Sequence, residues 1–150
     1  MRKVYMDNSA TTPISPKVLR AMLPFLKDHY GNPQSLHNWG DEPEEAVEKA
    51  RAKVASFIGA QPEEIIFTSC GTESNNLAVK GLAMAQQSKG KHIIVSAIEH
   101  FSVLHSARTL GKWGFEITQV PVDKYGLVDP EEVARSIRDD TVLVSIMHAN

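Results

Sequence analysis

His92-Ile93-Ile94-Val95-Ser96-Ala97 is a short apolar run without alternation, and residues 101–112 behind it repeat Val103, Leu104, Ala107 and Leu110 at helical spacing. A continuous apolar run is the pattern of a strand covered on both faces, and a helix directly after it is half of a β-α-β unit. Working outward, the succession repeats. Downstream, a strand is expected over 115–120 and a turn at Gly126. Asp129-Pro130-Glu131-Glu132 then reads as an N-cap, a proline at the first helical position and a carboxylate closing the cap. That short helix should end near Asp139-Asp140, before a strand over 141–147 (Thr141-Val142-Leu143-Val144-Ser145-Ile146-Met147). Upstream, a strand over 64–68 should lead into a helix over 72–86, with Leu77, Ala78, Gly81, Leu82 and Ala85 on its apolar face. The expected fold is α/β, a mostly parallel sheet buried on both faces by helices.

The first 60 residues read differently. Ser15-Pro16 resembles an N-cap and first helical residue, followed by Val18, Leu19, Met22, Leu23 and Leu26 at helical spacing, with Pro24 expected to bend or shorten the helix. Gly31-Asn32-Pro33 is a loop signal. A second helix is expected from Asp41, which has capping-box spacing to Glu44, to a stop at Gly59, with Val47, Ala50, Val54 and Ile58 inward. The division expected is an N-terminal segment with helices over 1–60 and an incomplete large α/β domain over 61–150.

The 150 residues suffice for one domain with a real core. A net charge of −2 gives no reason to expect nucleic acid or an anionic membrane as partner. No apolar run approaches the roughly 20 residues that span a bilayer, and the first residues lack the apolar core of a secretory signal. A cytoplasmic location is the default expectation. The single cysteine, Cys70, can make neither an internal disulfide nor, alone, a zinc site. Glu99, His100 and His148 lack metal-ligand spacing, so no metal is expected.

In parallel sheets, ligands bind beyond the carboxyl ends of the strands. Three polar groups fall there: Ser69–Asn75, Glu99-His100 and His148-Ala149-Asn150. The loop Thr68-Ser69-Cys70-Gly71-Thr72-Glu73-Ser74-Asn75-Asn76 enters a helix, so its free N–H groups and the helix dipole favour a phosphate. Gly71 would allow close approach of an anion and Thr72 would add a hydroxyl. A plain helix start explains the same residues. His100 is either a helix-start histidine satisfied by backbone or an imidazole in the cleft that stacks on a flat cofactor or moves protons. Cys70 is either a nucleophile or a small buried cysteine. His92 and His105 read as structural or surface groups, and His29 and His37 could face a site or solvent.

Five blocks in order carry a family resemblance: Tyr5-Met6-Asp7-Asn8-Ser9-Ala10-Thr11-Thr12-Pro13; Tyr30-Gly31-Asn32-Pro33 with Ser35 and His37; the loop Phe67–Asn76; Glu99-His100; and Val144-Ser145-Ile146-Met147-His148-Ala149-Asn150. Together they resemble cysteine desulfurases of the NifS/IscS type, in the class V aminotransferase superfamily. The resemblance implies a fold type I enzyme dependent on pyridoxal 5'-phosphate (PLP). Such an enzyme takes sulfur from L-cysteine, leaves alanine, and passes an enzyme persulfide to an iron–sulfur scaffold or another sulfur acceptor protein. It implies that Gly71 and Thr72 hold the cofactor phosphate. It also implies that His100 is both a cofactor-binding and a catalytic residue, lying over the pyridine ring and assisting proton transfers. Asn32 and Ala10-Thr11-Thr12 are implied on the substrate side, and Cys70 is not the family's sulfur acceptor.

The blocks match the N-terminal portion of such an enzyme. The family's Ser-x-His-Lys block with the Schiff-base lysine, the Asp for the pyridine nitrogen, the substrate-carboxylate arginine and the mobile-loop cysteine are not in these 150 residues. The chain by itself is therefore expected to be inactive. It is expected to work as a homodimer or with a complementary C-terminal chain, and to be oligomeric, partner-bound or aggregation-prone when isolated. Two other readings remain open: a non-catalytic truncated module binding phosphate, PLP or a complementary chain, and a fragment of a selenocysteine lyase or other class V aminotransferase.

Overall fold

A computed structural model describes residues 2–150, which divide into two compact units, one ending at Ile66 and one spanning Phe67–Asn150.

The first unit is helical. Helix α1 (Pro16–Lys27) begins behind Ser15, whose hydroxyl makes no cap bond, and runs through Pro24. None of its residues is buried, although Val18, Leu19, Met22, Leu23 and Leu26 share the expected spacing. Helix α2 (Asn38–Ile58) starts ahead of the expected Asp41, with His37 at the N-cap position. The reason is the tight loop before it. A Cβ on Gly40 would stand 2.5 Å from the Ser35 carbonyl oxygen, and one on Gly31 only 1.7 Å from that of Trp39. The loop thus packs directly on the first turn, and the Asp41–Glu44 spacing falls inside the helix. Gly59 ends α2 in the left-handed conformation, φ 72°, as its sequence position implied. The expected inward face is not inward: Ala50, Val54 and Ile58 are exposed and Val47 half-buried, while Gly40, Pro43 and Ala55 are buried.

The second unit is an α/β layer. Its sheet is β2-β1-β3, built from β1 (His92–Ser96), β2 (Glu116–Val120) and β3 (Thr141–Ser145), with β1 parallel to both neighbours. Before it lies a continuous helical run made of α3 (Gly71–Asn76), a π-helical segment (Leu77–Gly81) and α4 (Leu82–Ala85). Helix α5 (Phe101–Lys112) connects β1 to β2, and α6 (Pro130–Ser136) connects β2 to β3. Asp129 caps α6 by accepting from the Glu131 N–H at 3.0 Å, and the helix ends at Ser136, short of the expected Asp139. Gly126, φ 82°, closes the turn before it.

Only the central strand meets the expectation of burial on both faces. All of β1 is buried, whereas β2 and β3, at the edges, are partly exposed. Ile93 and Val95 pack with Val103, Ala107, Leu110 and Phe115, and with Val79 and Ala83 of the helical run. Two expectations fail in this unit. Residues 65–68 form no ladder among the described residues: Ile65 has extended dihedrals but follows a short 3₁₀ turn, Pro62–Glu64, and finds no strand partner. The face Leu77, Ala78, Gly81, Leu82 and Ala85 is exposed, and Val79 and Ala83 are the buried residues of that run. A π-segment holds more residues per turn than an α-helix, so an apolar period read at 3.6 slips out of phase across Leu77–Gly81.

Candidate functional site

The carboxyl end of β1 and the start of the helical run lie in the second unit and are joined by hydrogen bonds. Cys70 stands at the N-cap position of α3. The Glu73 carboxylate folds back over the loop and accepts from the Ser69 N–H at 2.7 Å and the Ser69 hydroxyl at 2.6 Å. These two bonds hold the Glu73 carboxyl below its usual range. Thr68 and Ser74 hydroxyls meet at 2.6 Å. The loop is therefore fixed by its own side chains, and it carries the backbone N–H groups that start α3.

What those N–H groups favour is visible at Cys70. Its thiol pKa is lowered, first by the Glu73 N–H, then by the Ser69 hydroxyl and more weakly by the Thr72 N–H. Helix-start donors thus stabilise a negative charge here. Beside them Gly71 is open: a Cβ there would meet no other group within 4 Å. The Thr72 hydroxyl has no protein partner among the described residues. Helix-start N–H groups, an open glycine and a hydroxyl without a partner among the described residues give the loop the chemistry that suits an anion such as a phosphate. Cys70 is exposed, which sets aside the reading of a small buried cysteine.

His100 is the N-cap residue of α5. Its Nδ1 accepts from the Ser102 N–H at 3.1 Å and lies 2.7 Å from Ser102 Oγ. Ser102 Oγ is in turn 2.8 Å from Asn75 Nδ2, on the helix that Gly71 and Thr72 begin. One turn along, the Ser106 hydroxyl reaches Asn76 Oδ1 at 3.0 Å, and Lys80 Nζ reaches the same oxygen at 2.6 Å. The backbone-satisfied role considered for His100 is real, yet it uses Nδ1 only. The ring is exposed and Nε2 has no partner among the described residues.

Glu99 is 6% exposed and turns the other way. It accepts from Ser96 Oγ at 2.9 Å and from the Met147 N–H at 2.5 Å, while Asn150 Nδ2 donates to the Ile98 carbonyl at 3.0 Å. These bonds fasten the segment after β3 to the end of β1. A cleft beyond those two strand ends is lined by Ile98, Leu127, Met147, His148 and Asn150, among others.

The other histidines separate cleanly. His92 is buried in the sheet, and His105 is exposed beside the Phe101 ring at 5.7 Å. In the first unit His29 Nδ1 pairs with Glu42 at 2.7 Å, and Asn32 Oδ1 accepts from the Gln34 N–H at 2.9 Å. Ala10, Thr11 and Thr12 are exposed.

Sequence reasoning overlooked Ser102 and the bonding roles of Asn75 and Glu99. The available signal was Ser102 and Ser106, two hydroxyls at i, i+4 spacing among the inward apolar positions of α5. Buried serines on such a face need partners, and Asn75-Asn76 is the adjacent amide pair that supplies them.

The aminotransferase class-V family matches residues 4–150. The chain is 56% identical over 149 residues to cysteine desulfurase IscS of Dictyoglomus turgidum, covering 99% of this chain and 38% of that protein. It is 54% identical to cysteine desulfurase IscS of Methanosarcina thermophila, covering 99% and 37%. A solved structure described as a NifS-like protein superposes with a TM-score of 0.94 at 45% identity, covering 99% of this chain and 41% of the other. The chain thus corresponds to the N-terminal part of the cysteine desulfurases it resembles, spanning well under half of their length.

Proposed function

The chain belongs to the aminotransferase class-V family, and from that premise we propose that it is the N-terminal part of a cysteine desulfurase. In this reading the enzyme uses PLP to take sulfur from L-cysteine, leaving alanine and a persulfide for an iron–sulfur scaffold or another acceptor. Homodimerisation, or pairing with a chain carrying the remaining residues, completes the site.

The observation that carries the reading is the tie between the anion-favouring loop and the histidine. Gly71 and Thr72 open a helix whose Asn75 is bonded, through Ser102, to His100. A loop suited to the phosphate and an imidazole suited to the ring chemistry are therefore joined by one chain of hydrogen bonds. When bound, PLP supplies the electron-withdrawing ring that the reaction needs. The chain's own residues do the rest of the work assigned to them here. The N–H groups at Thr72 and Glu73, with the Thr72 hydroxyl, bind the phosphate and set the cofactor's register. Exposed His100 Nε2 is the atom that holds or moves a proton. Glu99 keeps the segment bearing His148 and Asn150 against the end of β1.

Two measurements test this. Titrating PLP with the protein and following the phosphorus NMR signal should give saturable binding, weakened roughly tenfold by Thr72→Ala, the size of one hydrogen bond to a charged group. Equal binding by the variant would sink the phosphate assignment. Incubated with PLP and L-cysteine, the 150-residue chain should yield no alanine until a chain bearing the Ser-x-His-Lys block is added. Alanine from the chain alone would contradict the division of labour.

A further inference from the structure

The reading above needs Gly71, Thr72 and the His100 imidazole, and uses Asn75 and Ser102 only as the link between them. Their hydrogen bonds have a direction. The Ser102 N–H can only donate, and it lies 3.1 Å from His100 Nδ1. Nδ1 is thus an acceptor, and a neutral ring must carry its proton on Nε2. The Ser102 hydroxyl, 2.7 Å from the same nitrogen, then has its hydrogen aimed at Nδ1 as well. Its lone pairs are left for the Asn75 amide N–H, 2.8 Å away. Turning the Asn75 amide over would draw the Ser102 hydroxyl hydrogen to Oδ1 and leave Nδ1 only the backbone donor, which by itself still fixes Nδ1 as an acceptor.

The arrangement is sheltered and braced. Ser102 is 7% exposed and Ser106 1%, so neither bond competes freely with water. Ser106 braces the same turn by lying 2.7 Å from the Ser102 carbonyl oxygen and 3.0 Å from Asn76 Oδ1. Nδ1 therefore has two donors from one residue, while Nε2 has none of the described residues for a partner.

We infer that Ser102, held by Asn75, is a positioning residue for His100: it fixes the ring's tilt and its Nε2–H tautomer, so that Nε2 is the atom offered to the ligand. The tautomer rests on geometry alone, and the catalytic consequence rests on the proposed function. Asn75 also makes the phosphate loop's own helix the support for the imidazole, so the ring is aimed relative to the loop.

The test uses the full chain labelled with nitrogen-15 in its histidine rings, read by long-range proton–nitrogen correlation. His100→Gln identifies the His100 signals, and the other histidines serve as internal controls for folding. The wild type should show a single Nε2–H pattern with a strongly bonded acceptor Nδ1. Ser102→Ala keeps the backbone donor and so the tautomer, but should shift Nδ1 toward the free-acceptor position; Ser102→Thr should restore the wild-type pattern, and Asn75→Ala should shift it less, in the same direction. A wild-type Nδ1–H pattern overturns the inference, as does a His100 spectrum unmoved by both Ser102→Ala and Asn75→Ala.

In protein completed for cysteine turnover, Ser102→Ala should lower kcat on the order of tenfold, a fraction of a general acid–base contribution, with KM and PLP affinity unchanged and Thr restoring it. The expected tautomer without any cysteine turnover would remove the proposed function and leave the strut standing. Turnover with kcat and the Nδ1 signal both indifferent to Ser102→Ala would do the reverse.

Discussion

His92 opens β1, His100 caps the helix that follows it, and the two live under opposite conditions. At the amino end, His92 is fully buried and both ring nitrogens are used: Nδ1 meets Thr141 Oγ1 at 2.7 Å and Nε2 meets Thr118 Oγ1 at 2.8 Å. The ring staples β1 to β3 and β2. At the carboxyl end, His100 uses Nδ1 alone and leaves Nε2 open. One imidazole closes the sheet; the other is left incomplete where a ligand can complete it. Outside His92, Arg138 spans Glu116 at 2.6 Å and Asp140 at 3.0 Å, an exposed ion cluster over a saturated end. Beyond the carboxyl end, His100 is tied instead to the helix that begins at the open Gly71. A residue with every donor and acceptor satisfied is there for stability, and one with a free functional atom is available for chemistry.

The sharpest way to break this contrast is to delete each ring. His92→Ala leaves the half-buried Thr118 hydroxyl without its ring partner, Thr141 with only the Arg138 N–H, and a cavity among the strands, and should cost about 3 kcal/mol in urea unfolding. His100→Ala removes an exposed N-cap acceptor and should cost about 1 kcal/mol or less while abolishing turnover in the completed enzyme. Equal stability losses would erase the distinction between the ends.

The pH dependence is the next effect. The His92 pKa is lowered from 6.5, first by burial and then by the Arg138 charge. Below that pH the unfolded chain binds more protons than the folded one, so stability must fall as pH drops. The contribution is complete above about 6.5, is lost from there down to the folded value, and levels off below it. Urea midpoints taken from pH 7.5 to 5 should show this loss, and His92→Gln should flatten it. His100→Gln should leave the slope in place.

The smallest effect belongs to the Arg138 cluster. Hydrogen bonds from Arg138 lower Glu116 from 4.5 and Asp140 from 3.8, so their contribution holds above those values and disappears as pH falls through the lowered ones. Being exposed, the cluster should matter little. Arg138→Gln should shift the melting temperature only slightly at low salt and not at all in 1 M salt. A large, salt-independent loss would mean that the closed end depends on its ions rather than on His92.

The sequence made the frame legible wherever the period was undisturbed. Helix α5 lies where Val103, Leu104, Ala107 and Leu110 put it, and all three parallel strands fall within their expected segments. The reading failed where a local rule depends on a distant partner. Residues 65–68 have strand composition but no ladder, because pairing is not encoded in the segment itself. The wrong face of 72–86 was chosen because the π-segment shifts the phase. The buried side also has few large apolar groups, its serine–asparagine rungs replacing them. Gly71, Thr72 and His100 stood out as candidates because loop-to-helix and strand-end positions are visible in one dimension. Ser102 did not, because its meaning depends on Asn75, which reaches it only across the packed helices. The two threonines of His92 were hidden for the same reason: they belong to other strands, and β1 and β3 slip register at His92/Ile93.

The central claim is that the loop at Gly71-Thr72 is a phosphate-binding end of the site, and Cys70 reports on it directly. The same N–H groups lower its thiol pKa and are proposed to hold the phosphate. The measurement is the rate of Cys70 alkylation by iodoacetamide near neutral pH, with PLP or with pyridoxal lacking the phosphate. The account predicts fast alkylation of the free chain, strong slowing by PLP, little slowing by pyridoxal, and loss of the PLP effect in Thr72→Ala. Equal rates with PLP and pyridoxal, unchanged in the variant, would contradict it.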